Sequence, residues 1–206
     1  MKSVHICVFG ASITWGAYDA EKGGWVERLK IHFFNQEDEN FASVYNLAVS
    51  GATAEYLLKR FDVECEARRP DIIVFSIGNN DSQFLKSEDR NLTPIEKFQK
   101  NIEKLYEKSL KFAEKIVFIG LTGVDEEKTK PVYWNEDSWY TNEEITKYDS
   151  AIEKFCQEKN LKYVSLKGVL KPGDWEDGLH PNAKGHEKIF EKIKPEVLSI
   201  FQEIKD

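Results

Sequence analysis

A serine, an aspartate and a histidine in this 206-residue chain have types and positions that suit nucleophilic catalysis. Ser12 follows the apolar run VHICVF across a turn at Gly10, so its hydroxyl is predicted at a sheet rim, near the start of a helical turn with free N–H groups. A serine hydroxyl needs a neighbouring base. His180 is the candidate, because imidazole has an ordinary pKa of about 6.5. Asp177 can hold Nδ1–H and leave Nε2 free to take the proton, which predicts a Ser12–His180–Asp177 triad.

Acyl transfer also requires hydrogen-bond donors for the oxyanion that develops on the carbonyl. Asn80 can donate from its side-chain amide, and the backbone N–H of Ser12 is a second donor. Gly51 can offer a backbone N–H at close range, because it lacks a Cβ. Losing one such donor costs about 3–4 kcal/mol of transition-state stabilisation. We therefore expect an oxyanion hole formed by Ser12, Gly51 and Asn80.

Short apolar runs alternate with longer amphipathic stretches along the chain. Runs rich in Val, Ile, Phe and Tyr predict strands at 4–9, 43–49, 71–77, 115–121 and 162–166. Apolar residues at the helical period predict helices at 23–34, 53–69, 93–115, 141–160 and from about Asn182 onward. This alternation predicts a three-layer α/β/α domain over residues 1–206, with a five-stranded parallel sheet in the flavodoxin-like order 2-1-3-4-5.

The helix ends carry their own signals. Capping boxes are predicted at Thr93 with Glu96 and at Thr141 with Glu144, and Pro195 is expected to kink or split the last helix.

In an open parallel sheet, ligands bind beyond the carboxyl ends of the strands. The candidate catalytic residues all follow predicted strands, so we expect them to converge at that edge.

Four segments, taken in order, resemble the sequence blocks of SGNH/GDSL-type hydrolases. They are FGASITWG, NLAVSGAT, IGNNDS and DGLHPN. The resemblance places the nucleophile at Ser12, the oxyanion glycine at Gly51, the G-x-N-D asparagine at Asn80 and the D-x-x-H pair at Asp177 and His180. It spans residues 9–182 and implies an esterase or acylhydrolase of flavodoxin-like fold that needs no cofactor.

One position departs from that family pattern. The family usually has aspartate where this chain has Ala11, and that carboxylate is expected to steady the nucleophile turn. A non-catalytic or weakly active ligand-binding protein on the same scaffold is therefore the alternative function. A dinucleotide-binding oxidoreductase is disfavoured, because G-x-G-x-x-G from Gly10 would require glycine where Ser12 and Trp15 stand.

The charge composition of the chain disfavours two classes of binding partner. The chain has 29 Lys and Arg against 36 Asp and Glu, a formal charge of -7, which opposes binding to nucleic acid or an anionic membrane. No run reaches the roughly 18 apolar residues of a membrane span, and no secretory signal pattern is present, so a cytoplasmic location is expected. Cys7, Cys65 and Cys156 are predicted to be reduced and buried. His186 follows His180 at a spacing that does not suit a metal pair, so no metal site is expected.

The segment 122–140 is long for a connection and rich in aromatic side chains. It is interpreted either as a lid or binding element or as an irregular segment whose aromatic side chains cover the sheet edge.

The expected substrate is a small-molecule ester with a short acyl chain, and an acetylated carbohydrate is the favoured example. No large apolar insertion is visible to receive a lipid tail, and Trp15 and Trp134 could stack on a sugar ring.

Overall fold

The structure is a computed structural model that describes residues 4–36 and 41–205. Its strands are β1 (Val4–Gly10), β2 (Ala42–Asn46), β3 (Ile72–Ser76), β4 (Phe84–Leu85), β5 (Arg90–Asn91), β6 (Lys115–Ile119), β7 (Ser138–Trp139) and β8 (Lys162–Val164). Its helices are α1 (Ser12–Trp15), α2 (Trp25–Phe34), α3 (Ala54–Arg68), α4 (Ile95–Ser109), α5 (Glu126–Thr129), α6 (Asn142–Lys159) and α7 (Ala183–Lys205).

Five parallel strands form the main sheet in the order β2-β1-β3-β6-β8. This is the order 2-1-3-4-5 when the parallel strands are counted along the chain, so the predicted architecture is confirmed. The single-domain prediction for residues 1–206 stays a prediction, and residues 1–3, 37–40 and 206 lie outside the described residues.

Side chains of each central strand alternate between two cores, because successive residues of a strand point to opposite faces. In β1, Cys7 and Phe9 face a core shared with α3, α4 and α6. Ile6 and Val8 face the core shared with α2 and α7. All four side chains are fully buried. Burial on both faces explains why the strand reads as an almost continuous apolar run.

The two predicted capping boxes have different outcomes. At Thr141 the side chain accepts a hydrogen bond from the Glu144 N–H at 3.3 Å, as an N-cap does. The box at Thr93 is wrong, because α4 begins one residue later, after Pro94, and has no side-chain cap. The Thr93 N–H instead donates to the carbonyl oxygen of Asp81 at 3.2 Å, and the Thr93 carbonyl oxygen accepts from the Tyr148 hydroxyl.

One helix boundary also differs from prediction. Helix α4 ends at Ser109 rather than near residue 115. Helix α7 continues through Pro195, so the proline does not split it. Buried residues on both sides of the proline, Ile193 and Val197 among them, pack into one core. Their burial keeps the two halves of α7 in place despite the missing N–H of proline.

The segment 122–140 forms structure of its own. It contains α5 and β7, and β7 pairs antiparallel with β4 in a small sheet of order β5-β4-β7. Phe84 and Trp139 face each other across that pair, with ring centroids 6.3 Å apart. Because β4 follows β3 directly, the small sheet stands at the edge where the candidate residues gather.

Candidate active site

The nucleophile turn follows directly from β1. Ser12 is the first residue of α1, a helix of only four residues, and is buried. A Cβ on Gly10 would lie 2.2 Å from the Thr14 Oγ1 of α1 and 2.6 Å from the Ser76 carbonyl oxygen of β3, so glycine allows β1 to pass this close to both elements. Gly16 ends α1 in a left-handed conformation with φ of 99°. The helical position predicted for Ser12 is therefore the one observed.

Ser12, His180 and Asp177 form one hydrogen-bonded chain. The His180 Nε2 lies 2.9 Å from the Ser12 Oγ, and its Nδ1 lies 2.7 Å from the Asp177 Oδ2. Ser12 and His180 are 168 positions apart in sequence. The structure thus brings together the three residues that the sequence indicated, in the predicted arrangement.

Asp177 has an environment that keeps it ionised. Burial raises the pKa of its carboxyl, but hydrogen bonds from the side chain and backbone of His180 outweigh burial and leave the net pKa below its ordinary value. Its Oδ1 also accepts the N–H groups of Leu179 at 3.0 Å and of His180 at 2.7 Å. These bonds fix the carboxylate against Nδ1 and suit it to stabilise a protonated imidazole.

Asn80 lies beside Ser12. It and Ser12 line the same small cavity of about 20 Å³. Its Nδ2 donates to the Ala52 carbonyl oxygen at 2.9 Å, and its Oδ1 accepts from the Tyr140 hydroxyl at 3.1 Å. The Asn80 amide is therefore held through both its nitrogen and its oxygen, beside Ser12.

Gly51 lies in the loop between β2 and α3 and lines a neighbouring groove rather than the cavity of Ser12. An added Cβ there would meet nothing within 4 Å, and φ is 77°. The glycine is thus required by its backbone conformation and not by a close approach. Within the described residues, the N–H groups of Gly51 and Ser12 have no hydrogen-bond acceptor, so both are available to a ligand.

A buried carboxylate and a half-buried amide connect the loops of the site to neighbouring elements. The Asp81 carboxylate accepts the N–H of Ala54, the first residue of α3, and burial raises its pKa to about 7, although this hydrogen bond opposes the rise. The Asn46 amide donates to the Thr14 carbonyl oxygen at 3.1 Å and links the end of β2 to α1. Both contacts join backbone segments of different elements.

Aromatic rings surround His180 on its exposed side. Ring centroids of Tyr18 and Trp134 lie 5.4 Å and 6.0 Å from the imidazole, and Tyr133 packs edge-on against Trp134 at 4.8 Å. Trp134 is 47% exposed. Trp15 is 58% exposed, and none of the described ring contacts joins it to His180. The structure thus brings Trp134 to the site and leaves Trp15 apart from this aromatic face.

Sequence reasoning missed Tyr18 and gave no role to Tyr140. The hydroxyls of Tyr18 and Tyr133 lie 3.3 Å apart, and this bond is the main reason that the pKa of Tyr18 rises to about 12. The two residues are 115 positions apart in sequence. Tyr140 lies in the aromatic-rich segment 122–140. No local pattern links either tyrosine to the site.

The remaining candidate groups are structural. His186 is fully buried, and its Nε2 lies 3.0 Å from the Ala17 carbonyl oxygen. Residues 4–36 and 41–205 contain no cluster of three or more His, Cys, Asp or Glu side chains arranged for a metal ion. The three cysteines are free and buried. Across the same residues, no helix is long and apolar enough to span a membrane.

The fold and these residues define the class of protein. Residues 8–188 match the GDSL-like Lipase/Acylhydrolase family, and the chain belongs to that family. The SGNH/GDSL resemblance predicted from sequence is thus confirmed.

Individual proteins are similar to this chain in sequence or in fold. The lipase/acylhydrolase from Enterococcus faecalis is 26% identical, with a TM-score of 0.75 over 95% of this chain and 96% of that one. A catalytic mutant of Axe2, an acetylxylan esterase from Geobacillus stearothermophilus, shares the fold at 18% identity and a TM-score of 0.72, covering 96% and 95% of the two chains. The uncharacterized protein YpmR of Bacillus subtilis is 23% identical, over 94% of this chain and 82% of its own length.

Proposed function

We propose that the chain is a serine esterase that hydrolyses short-chain carboxylic esters through an acyl-enzyme on Ser12. The observation that carries this proposal is the chain of contacts from Ser12 Oγ through the imidazole of His180 to the carboxylate of Asp177, at 2.9 Å and 2.7 Å. A nucleophile, a base and a group that orients the base are the three parts that this chemistry requires.

In the first half of the reaction, His180 Nε2 takes the proton of Ser12 Oγ as the oxygen bonds to the ester carbonyl carbon. The carbonyl π electrons move to oxygen and form a tetrahedral oxyanion. When that intermediate collapses, the bond to the alcohol oxygen breaks and His180 returns the proton to the departing alcohol. Asp177 stabilises the transient imidazolium.

In the second half, water gives a proton to His180 and attacks the acyl carbon. Collapse of the second oxyanion breaks the bond to Ser12 Oγ, which takes the proton back from His180. The free acid then leaves. The proposed oxyanion donors are the N–H groups of Ser12 and Gly51 and the side-chain amide of Asn80.

The favoured substrate is an acetylated carbohydrate. The cavity shared by Ser12 and Asn80 is only about 20 Å³, which disfavours a long acyl chain. The half-exposed indole of Trp134, beside His180, offers an apolar face to a sugar ring. The fold shared with an acetylxylan esterase agrees with this choice.

The test is covalent labelling by a fluorophosphonate probe. The wild-type protein should be labelled, and Ser12→Ala should not. Ser87→Ala is the matched control, because the Ser87 hydroxyl also bonds a carboxylate, that of Asp137 at 2.8 Å, but the bond involves no imidazole. This control should label like wild type.

Absence of labelling in folded wild-type protein would overturn the esterase proposal in favour of the non-catalytic ligand-binding alternative. A panel of p-nitrophenyl esters of rising acyl length, together with acetylated sugars, then measures the substrate preference. We expect kcat/KM to be highest for acetyl esters.

A further inference from the structure

We propose that Tyr140 is a positioning residue that holds the side-chain amide of Asn80 in the orientation needed to donate to the oxyanion. This inference rests on the proposed function. Tyr140 and Asn80 are 60 positions apart in sequence, and the Tyr140 hydroxyl lies 3.1 Å from the Asn80 Oδ1.

The contacts of Asn80 define which end of its amide is nitrogen. The Ala52 carbonyl oxygen, 2.9 Å away, can only accept, so the group that faces it must be the NH₂. The amide oxygen therefore faces Tyr140, and the phenol must be the donor in that bond. A flipped amide would set its oxygen against the Ala52 oxygen and its NH₂ against the Tyr140 hydroxyl.

One hydrogen of the Asn80 NH₂ is left for a ligand. The Ala52 carbonyl takes one of the two, and no described residue accepts the other. Since Asn80 and Ser12 line the same cavity, the free hydrogen belongs to a donor beside the nucleophile. Donation from Tyr140 to Oδ1 also polarises the amide and strengthens its remaining N–H as a donor.

Tyr140 is itself firmly held. It is buried, and its backbone N–H donates to the Thr129 carbonyl oxygen at 2.9 Å. Its carbonyl oxygen accepts from the Thr129 hydroxyl at 2.7 Å. Burial raises the pKa of its phenol, so the hydroxyl keeps the proton that it donates. A rigid, neutral donor of this kind suits an oxyanion site, where preorganisation is the source of stabilisation.

A second acceptor competes with Asn80 for the hydrogen of the Tyr140 hydroxyl. The Gln83 Oε1 lies 3.2 Å from the same hydroxyl, which has a single hydrogen to donate. Gln83 belongs to the short loop that follows Asn80 and leads into β4. The small sheet of β4, β5 and β7 is thereby joined to the oxyanion side of the site, while Trp134 of segment 122–140 reaches the histidine side.

The test is Tyr140→Phe, which removes only the hydroxyl. We expect kcat on a short-chain ester to fall about 10-fold with KM nearly unchanged, because the lost interaction acts in the transition state. Tyr148→Phe is the matched control, since Tyr148 is also buried and donates to a backbone carbonyl, that of Thr93. Its kcat should stay close to the wild-type value.

A double-mutant cycle separates positioning from general destabilisation. In the Asn80→Ala background, Tyr140→Phe should reduce kcat by less than twofold, because the amide that it orients is gone. The inference is overturned if the single variant retains wild-type kcat, or if the tenfold loss persists in the Asn80→Ala background. Wild-type protein that is neither labelled nor active would instead contradict the esterase proposal itself.

Discussion

The imidazole of His180 lies 2.9 Å from the hydroxyl of Ser12, although the two residues follow strands that do not pair with each other. Ser12 follows β1 near the centre of the sheet, whereas His180 follows β8 at its edge. The connection after β8 therefore has to return across the carboxyl ends of the strands. A bridge between Trp175 and Pro181 and a hydrogen bond from the Glu176 N–H to the His180 carbonyl oxygen, 2.9 Å long, shape its final turn.

Replacing Asp177 by asparagine tests whether the third member of the contact chain orients the base. We expect Asp177→Asn to lower kcat by about 10³–10⁴-fold, because an amide can hold the imidazole in the wrong tautomer and does not stabilise its protonated form. Steady-state hydrolysis of a short p-nitrophenyl ester measures this loss. Glu176→Gln, which neutralises the exposed neighbouring carboxylate, should remain active. A loss of less than tenfold in folded Asp177→Asn would contradict the assigned role.

The pH dependence of kcat/KM tests the base. A protonated His180 has no lone pair at Nε2 to take the proton of Ser12, so activity should fall on acidification. Stopped assays on a neutral ester, buffered over a range of pH at constant ionic strength, give the profile. A profile with no loss of activity on the acid side is incompatible with a histidine base.

Trp134→Ala tests the carbohydrate part of the proposal. We expect KM for an acetylated sugar to rise roughly three- to tenfold, or about 1 kcal/mol of lost stacking, with little change for ethyl acetate, which has no ring. Phe34→Ala removes an exposed aromatic ring from the end of α2 and serves as the control. Equal effects of Trp134→Ala on both esters would rule out a ring-specific contact. Trp15→Ala, in parallel, compares the two candidate indoles.

The fold could be predicted where burial of an element is visible in the pattern of apolar residues along the sequence. Strands such as β1 and β3 are buried on both faces, so their composition identifies them, and their alternation with amphipathic helices leaves few topologies. The nucleophile turn and the D-x-x-H pair could be identified because each is a short segment at a strand end. The contact between Ser12 and His180 was predicted with the help of the four segments that resemble SGNH/GDSL-type hydrolases, because no spacing in the sequence indicates it.

The parts that escaped prediction depend on contacts between distant residues. Thr93 has the sequence of an N-cap, but its N–H donates to the Asp81 carbonyl oxygen at 3.2 Å and α4 begins only at Ile95. The strands β4, β5 and β7 have two residues each, too few to display a period of two. Tyr140 reaches Asn80 only because β7 pairs with β4, so nothing near Tyr140 in the sequence marks it as part of the site.

A buried histidine on α7 gives the stability of the protein a specific dependence on pH. His186 is fully buried. Its pKa falls from 6.5 to about 4, chiefly because of burial; Arg28 and His180 contribute to the fall, and the hydrogen bond to the Ala17 carbonyl oxygen opposes it. Between those values the unfolded chain binds a proton that the folded chain does not. The free energy of unfolding therefore decreases as pH falls from about 6.5 to about 4, by roughly 3 kcal/mol for this group.

Urea unfolding of His186→Gln at pH of about 7 and about 4.5 measures this contribution, because glutamine can still donate to Ala17 but does not titrate. We expect the variant to gain stability relative to wild type as pH falls. Asp81 supplies a control of opposite sign: its raised pKa, about 7, means that the folded state binds the extra proton, so stability from this group grows on acidification. Asp81→Asn should therefore lose stability relative to wild type over the same interval. A difference between His186→Gln and wild type that does not change with pH would show that His186 exchanges its proton equally in the folded and unfolded states.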